Sequence, residues 1–325
     1  MKFILQIDHF FYLLSGLILF IYYLFFLLPL KITSKAKAND ASYLPVSLII
    51  AYKNEYQNLK YHLDHWLAQD YPDFEIILVN DHSDDDGPEF LQFRKQENIQ
   101  LLEMDQKSGK KAAIQRGISS ANHSLLIFTD ADCKPMSSQW IKQMVGPMLA
   151  GKEIVVGYSG FYPKLSLLNA IQRYENCMNA LQNAISIHRG RAYMAVGRNL
   201  AYRKEILQSK KVFKQVIRSG DDDLLVNRLS EKGNTEFFGR KEGQTISKAC
   251  NRWVSYFFQR RRQLEAGKYY KKSDRAKLAV LGLSQLMFNL LFITQLLSGD
   301  ELSIILGIFV TKLILQLLVL FKPMK

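Results

Sequence analysis

Short runs of apolar residues, each closed by a polar cluster, recur along the first half of the chain. "VSLIIA" (46–51), "FEIILVND" (74–81), "IQLLEM" (99–104) and "SLLIFTD" (124–130) have the length and composition of buried strands. The intervening stretches 55–69, 88–97 and 109–120 carry helical spacing. Continuous apolar strands alternating with amphipathic helices predict a parallel sheet covered on both faces. In such sheets ligands bind at the carboxyl ends of the strands. The polar clusters fall at those ends: Tyr52-Lys53-Asn54-Glu55, Asn80-Asp81-His82-Ser83 and Asp130-Ala131-Asp132. The second half is less regular. "IVVGYSGFY" (154–162) predicts a strand and 165–187 a long helix. Residues 192–204 predict a strand pair turning at Gly197, 222–232 a helix, and 249–266 an amphipathic basic helix.

Three further stretches have a different pattern. Phe10 to Leu30 holds no charge over 21 residues, enough to cross a bilayer core of about 30 Å at about 1.5 Å per residue. Leu278 to Leu297 is uncharged but diluted by Gln285, Asn289 and Gln295, and Leu302 to Phe321 carries one charge, Lys312. The first run is too long for the apolar part of a signal peptide, although Ala36-Lys37-Ala38 resembles a cleavage site, so it reads as an uncleaved anchor. Lys31, Lys35 and Lys37 follow it, which places the next domain in the cytoplasm. Lys271, Lys272, Arg275 and Lys277 before the second run, Asp300 and Glu301 in the turn, and Lys322 and Lys325 after the third agree with that topology. The expected organisation is an anchor over 1–33, a cytoplasmic domain over 44–266 and a membrane hairpin over 278–321. The alternative for the hairpin is a buried or interfacial helix pair, which Lys312 keeps open.

Composition changes this picture in two places. The net charge of +13 is concentrated in Arg240 to Lys277, where twelve basic residues meet three acids, with Trp253, Tyr256, Phe257 and Phe258 interleaved. Such a stretch could suit single-stranded nucleic acid, but just before a membrane span it fits an anionic membrane surface or a phosphate-rich substrate better. Nucleic acid is therefore not an expected partner. The three cysteines, Cys133, Cys177 and Cys250, are odd in number and widely spaced, which excludes a disulfide framework and a zinc site and suits a reducing compartment.

The chemistry centres on Asp130 and Asp132. Two carboxylates at the mouth of a buried strand repel each other and need a positive partner. Hard divalent cations such as Mg²⁺ or Mn²⁺ take this kind of oxygen ligation, with a phosphate completing the shell.

The ordered set "SLIIAYKNEYQNL", "EIILVNDHSDD", "KSGKKAAIQRGI", "IFTDADC" and "SGDDDLLVNRL" resembles the family-2 glycosyltransferases over about residues 46 to 265. The resemblance implies an α/β, GT-A nucleotide-diphospho-sugar transferase fold: a Rossmann-like mixed sheet covered by helices, with transmembrane helices added as in bacterial inner-membrane members. It implies that Ala51, Tyr52, Asn54, Glu55 and Asp81 hold the nucleoside of a nucleotide-sugar donor. Lys110, less so Lys107, would lie near the base or diphosphate. Asp130 would touch the ribose and the Mg²⁺ or Mn²⁺ ion, and Asp132 would ligate that ion. Asp222 matches the general base that takes the acceptor hydroxyl's proton, with Asp221 the alternative; some of Asp221 to Asp223 could instead cap the next helix. Arg198 and Asn199 fall where the family shapes its acceptor pocket.

One departure bears on the product. Processive members carry Gln-x-x-Arg-Trp beside the acceptor, whereas this chain has Gln259 and Arg262 at that spacing followed by Gln263. Arg262 could still clamp a donor diphosphate, but the stacking aromatic is missing. The expectation is transfer of one sugar, with UDP the default carrier, to a lipid-linked or glycan acceptor. A processive polysaccharide synthase, a silent membrane scaffold and a nucleotidyltransferase are the rivals. His62 and His65 are one turn apart on a predicted helix without a third ligand, so packing or surface roles are expected of them. His82 has no nucleophile beside it, Cys133 reads as a small strand-end residue, and Trp253 with its neighbours reads as an interface anchor.

Overall fold

The computed structural model describes residues 2–27, 43–105, 109–209, 221–299 and 301–320. Lys107, Gly220, nearly all of the 34–43 linker, and the charges Lys31, Lys35, Lys37, Asp300, Lys322 and Lys325 lie outside the described residues. The chain divides into two compact units, one from residues 1–31 with 270–323, the other centred on 32–269.

The larger unit is built on a seven-stranded sheet. Its strands are β1 (Val46–Tyr52), β2 (Phe74–Asn80), β3 (Ile99–Glu103), β4 (Leu125–Phe128), β6 (Ile154–Gly157), β8 (Leu200–Arg203) and β9 (Thr235–Phe238), in the order β3-β2-β1-β4-β8-β6-β9. β1 pairs in parallel with β2 and β4, and β2 with β3. β8 alone runs against its neighbours, antiparallel to β4 and β6, so the sheet is mixed. Side chains alternate between two cores as the pleat requires. Leu48 and Ile50 of β1 pack under α2 (Tyr56–Leu67) and α5 (Trp140–Leu149) with Leu63, Trp66 and Trp140. Ile49 faces the other core with Ala113 and Ile118 of α4 (Lys110–Ser120) and Ala184 of α6 (Leu167–His188). The order steps outward from β1 to β3 and then returns to β4, so the sheet's switch point falls between β1 and β4, where an open α/β sheet forms its ligand crevice.

Two sequence expectations are corrected. The strand expected over 154–162 is two: β6 stays in the large sheet, while β7 (Ser159–Phe161) joins β5 (Lys134–Pro135) and β10 (Thr245–Ser247) in a three-stranded sheet. The Asn199 amide packs against Gly157, where a Cβ would collide with it, and donates to Tyr158 O at 2.9 Å, turning the chain from one sheet to the other. The strand pair expected over 192–204 is β8 alone. Residues 192–195 instead give their N–H groups to side chains: Ala192 to Ser230 Oγ, Tyr193 and Met194 to Asn183 Oδ1, Ala195 to Asp223 Oδ1.

α3 (Gly87–Phe93), α7 (Lys204–Ser209), α8 (Asp221–Leu229) and α9 (Trp253–Gly267) complete this unit. The smaller unit packs α1 (Lys2–Leu27) with α10 (Lys272–Ser298) and α11 (Leu302–Leu320). Tyr12 donates to Ile305 O at 3.0 Å and stacks on Phe288 at 4.9 Å, and the Lys312 ammonium lies over Phe288 and Phe309. Among the described residues two helices are long and apolar enough to cross a membrane, Ile7–Phe25 and Lys272–Ser298; the apolar stretch Leu302–Leu318 is shorter.

Candidate active site

At the switch point lies a cavity of about 240 Å³ lined by Ala51, Tyr52, Lys53, Glu55, Asp81, Lys110, Asp130, Ala131 and Asp132. Each comes from the carboxyl end of a strand or the start of the helix beyond it. Lys53 and Ala131 are the lining residues that the motifs did not single out. Lys53 was legible as the lone cation of its strand end, and here its Nζ donates to Asp81 O at 3.0 Å. The Asp81 carboxylate accepts the Gly109 N–H at 3.1 Å, fixing the turn that starts α4.

Asn54 does not line the cavity. It holds the loops at the ends of β1 and β2 together: its N–H donates to Ser83 Oγ at 3.0 Å and its Oδ1 accepts the Asp84 N–H at 2.7 Å. Both Asn54 (φ 54°) and His82 (φ 58°) occupy the left-handed region, a strain of order 1–3 kcal/mol each that concentrates at ligand sites.

Charge dominates the cavity. Lys110 Nζ bonds Asp130 Oδ1 at 2.5 Å. The Lys110 side chain is half exposed; its partial desolvation works against the charge, but Asp130 and then Asp222 overcome it and hold the ammonium well above its ordinary pKa. Asp132 is pushed up by burial and then by Asp130, with Cys133, Arg198 and Lys110 opposing. Glu55 is raised too, by burial first and, among its neighbours, by Asp132, Asp130 and Asp85. Asp130, Asp132 and Cys133 bring their donor atoms within 4.8 Å of one another. Two carboxylate oxygens at one point, one of them on a carboxylate that resists ionisation, fit a hard divalent cation. The soft Cys133 thiol fits it less well, and here donates to Asp132 Oδ1 at 3.2 Å.

Asp222, the second residue of α8, lies outside the cavity lining. Its carboxylate packs so closely on Gly197 that a Cβ there would collide with it, and its charge reaches both Lys110 and the buried Tyr202 hydroxyl. Asp223 is committed to the Ala195 N–H at 3.1 Å, and the Asp221 side chain lies outside the described residues.

The expected acceptor residues divide. The Arg198 guanidinium bonds Ser247 Oγ at 2.8 Å and Asn176 Oδ1 at 3.0 Å and stacks 4.3 Å from the Phe161 centroid; its charge reaches Asp132. Asn199 has no surface to offer a ligand: it is fully buried, accepting from Trp140 Nε1 at 3.0 Å and donating to Tyr158 O and to Gly243 O at 2.8 Å. Gln259 accepts from Cys250 Sγ at 3.2 Å, Arg262 is exposed, and neither lines the cavity.

Residues 47–210, just over half of the chain, match Glycosyl transferase family 2. The chain belongs to this family and is a glycosyltransferase. It is 31% identical over 194 residues to glycosyltransferase AglE of Haloferax volcanii, covering 58% of this chain and 62% of AglE. It is 31% identical over 88 residues to poly-beta-1,6-N-acetyl-D-glucosamine synthase of Staphylococcus epidermidis, covering 27% of this chain and 21% of the synthase. The chain thus spans less than two thirds of either relative. Among solved structures, mannosyltransferase PcManGT of Pyrobaculum calidifontis, in complex with GDP-Man and Mn²⁺, superposes with a TM-score of 0.65 at 14% identity, covering 99% of this chain and 92% of that one. The fold is the GT-A fold.

Proposed function

We propose that this protein is a membrane-bound, inverting, metal-dependent glycosyltransferase that moves one sugar from a nucleoside-diphosphate donor to a lipid-linked or glycan acceptor. The observation that carries this reading is the pairing of the Asp130–Asp132 cleft with Asp222 across Lys110. In this reading Asp81 and the β1 end, Ala51 to Lys53 with Glu55, hold the nucleoside, Asn54 fixing that loop, and Lys110 holds the diphosphate. Asp222 takes the proton as the acceptor oxygen bonds to the anomeric carbon and the bond from that carbon to the diphosphate oxygen breaks. A divalent ion held by Asp132 and Asp130, Mg²⁺ or Mn²⁺, would supply Lewis-acid stabilisation of the leaving diphosphate. Residues 1–33 and 278–321 would tether the catalytic domain, 44–266, to the inner face of a bacterial membrane. The apolar helices Ile7–Phe25 and Lys272–Ser298 support this. UDP is the default carrier; GDP is the second, since the structurally similar PcManGT binds GDP-Man.

Polymer synthesis is the second reading, favoured by the likeness to the poly-N-acetylglucosamine synthase. That neither Gln259 nor Arg262 lines the cavity, together with the absent Trp, favours single transfer. The test is nucleoside-diphosphate release by the full chain in detergent across a panel of nucleotide-sugars, with Mn²⁺ or EDTA and with membrane lipid extract. Release from one donor that needs metal and lipid, and that falls about 10²–10⁴-fold in Asp222→Asn, supports the proposal. Turnover that persists in EDTA or in Asp132→Asn overturns its metal step. A ladder of products replaces single transfer with polymer synthesis.

A further inference from the structure

The face of the larger unit formed by α6 and α9 is built inside out. A surface helix ordinarily turns its apolar stripe to the core and its polar side to water. α9 does the reverse. Towards α6 it presents polar groups: the Tyr256 hydroxyl donates to Glu175 Oε2 at 2.6 Å, and the Arg260 guanidinium lies 3.7 Å from the same oxygen. On the far side Val254, Phe257, Phe258 and Leu264 recur at the spacing of one helix face, and each is at least 60% exposed.

A second element joins this face. The loop from β7 to α6 is tied to the chain just before α9. Lys164 Nζ donates to Asn251 Oδ1 at 3.2 Å, and the Gln172 amide accepts the Cys250 N–H at 3.0 Å while donating to Cys250 O at 2.9 Å. The loop is also held from within. The buried Asn169 accepts the Lys164 N–H at 2.9 Å and donates to Tyr162 O at 3.1 Å, and Ser166 caps α6. This fixed loop nevertheless leaves Leu165 wholly in solvent and Leu167 72% exposed. The sequence marks Trp253 and its neighbours as an anchor, but nothing in its pattern singles out the loop.

Charge selects among the surfaces that could cover these side chains. The only acids of α6 and α9 are Glu175, engaged as above, and Glu265, paired with Arg261 at 3.4 Å. Arg252, Arg262 and Lys268 are exposed. A second copy of the chain meeting the first through the same patch would bring like charges together. An anionic bilayer takes both the apolar side chains and the cations.

We infer that Leu165 and Leu167, with Val254, Phe257 and Phe258, form one platform that sinks into the headgroup region of an anionic bilayer and fixes the orientation of the larger unit on it. The inference rests on the membrane-bound reading proposed above. Because the loop is ordered before it meets lipid, little chain entropy is lost on insertion. The platform is also tied to the site: the Tyr162 N–H donates to Ser247 O at 3.0 Å, and Ser247 Oγ accepts from Arg198, so the loop and the Arg198 side of the site move as one.

The experiment uses the full chain in nanodiscs without a sugar donor. Cys177→Ser and Cys250→Ser leave an introduced cysteine as the one to be labelled, Cys133 being buried. A bimane is placed at Leu165→Cys or, as a control, at Phe93→Cys on α3, where the native side chain is 81% exposed. The discs hold phosphatidylcholine alone or with phosphatidylglycerol, with and without brominated acyl chains. The expected result is quenching of the Leu165 label by brominated lipid of about twofold or more when phosphatidylglycerol is present, less without it, and none of the Phe93 label. Val254→Ser/Phe257→Ser/Phe258→Ser, all at exposed positions where folding tolerates the change, removes about half of that quenching because loop and helix insert together. A Leu165 label quenched no more than the Phe93 label, or quenching indifferent to the triple variant or to the anionic lipid, overturns the inference. So does a label shielded from water yet unquenched in discs holding two chains, which gives the patch to a second copy. A chain that never enters the discs refutes the membrane-bound reading itself, and co-elution shows this before any quenching is measured.

Discussion

Replacing Asn199 by Ala separates a scaffold role from a ligand role. Its amide is buried and makes three hydrogen bonds. Tyr158 O keeps another donor, the Thr245 N–H at 3.2 Å. The Trp140 indole N–H and Gly243 O have no other bond among the described residues. Two buried polar groups left unpaired at about 1–3 kcal/mol each give a loss of about 2–6 kcal/mol, a large part of a typical domain stability of about 5–15 kcal/mol. Urea unfolding in detergent, followed by tryptophan fluorescence, reads this directly because Trp140 is itself a partner. The expected result is a lower midpoint with an unchanged slope, and the KM for acceptor unaltered in the folded fraction. A midpoint like the wild type's together with a raised acceptor KM would refute the argument and return Asn199 to the acceptor pocket.

Gly197→Ala should displace the Asp222 carboxylate without touching donor or acceptor. A shift of about 1 Å at such a group costs about 100-fold in kcat, with nucleotide affinity unchanged by calorimetry; an unaltered kcat would remove Asp222 from the reaction. Tyr202→Phe deletes a buried hydroxyl that has no partner among the described residues, so stability should hold or rise by up to about 1 kcal/mol, and a clear loss in urea unfolding would contradict this. His62 ionises near pH 4 when folded and near 6.5 when unfolded. The unfolded chain therefore binds the extra proton between those values, and stability is complete above pH 6.5 and lost as pH falls towards 4. The loss should approach ~3 kcal/mol and be absent in His62→Gln; equal pH profiles for the two proteins would contradict it.

The parallel half of the sheet was legible because β1 to β4 are short apolar runs, each closed by polar residues, and local pattern suffices for such strands. β5, β9 and β10 have two to four residues each; they exist through pairing partners far along the chain, which no local window contains. The 192–199 stretch misled for a related reason: its apolar residues look strand-like, but Asn183, Asp223 and Ser230 supply the partners that a neighbouring strand would have given. In the site, Asp81, Asp130 and Asp132 were visible as acids at strand ends. The division of labour among Asp221 to Asp223, and the burial of Asn199, depend on where α8 and Gly157 meet the loop after Gly197, and spacing alone does not encode that.

If the site binds a divalent ion as proposed, the Lys110–Asp130 contact makes its loading an exchange of cations, not a filling of empty charge. A divalent ion arriving alone would have to take a carboxylate from an ammonium whose charge is otherwise supported by Asp222. Arriving with a diphosphate, it offers that ammonium a new anion. In the proposed reaction metal and nucleotide would thereby be coupled through one lysine. A coupling of about 1–3 kcal/mol would appear as Mn²⁺ affinity roughly tenfold higher in the presence of UDP, and Lys110→Met would erase the difference. In that reading a stray cation would meet an ammonium already in place, and the carboxylates would open to ion and diphosphate together.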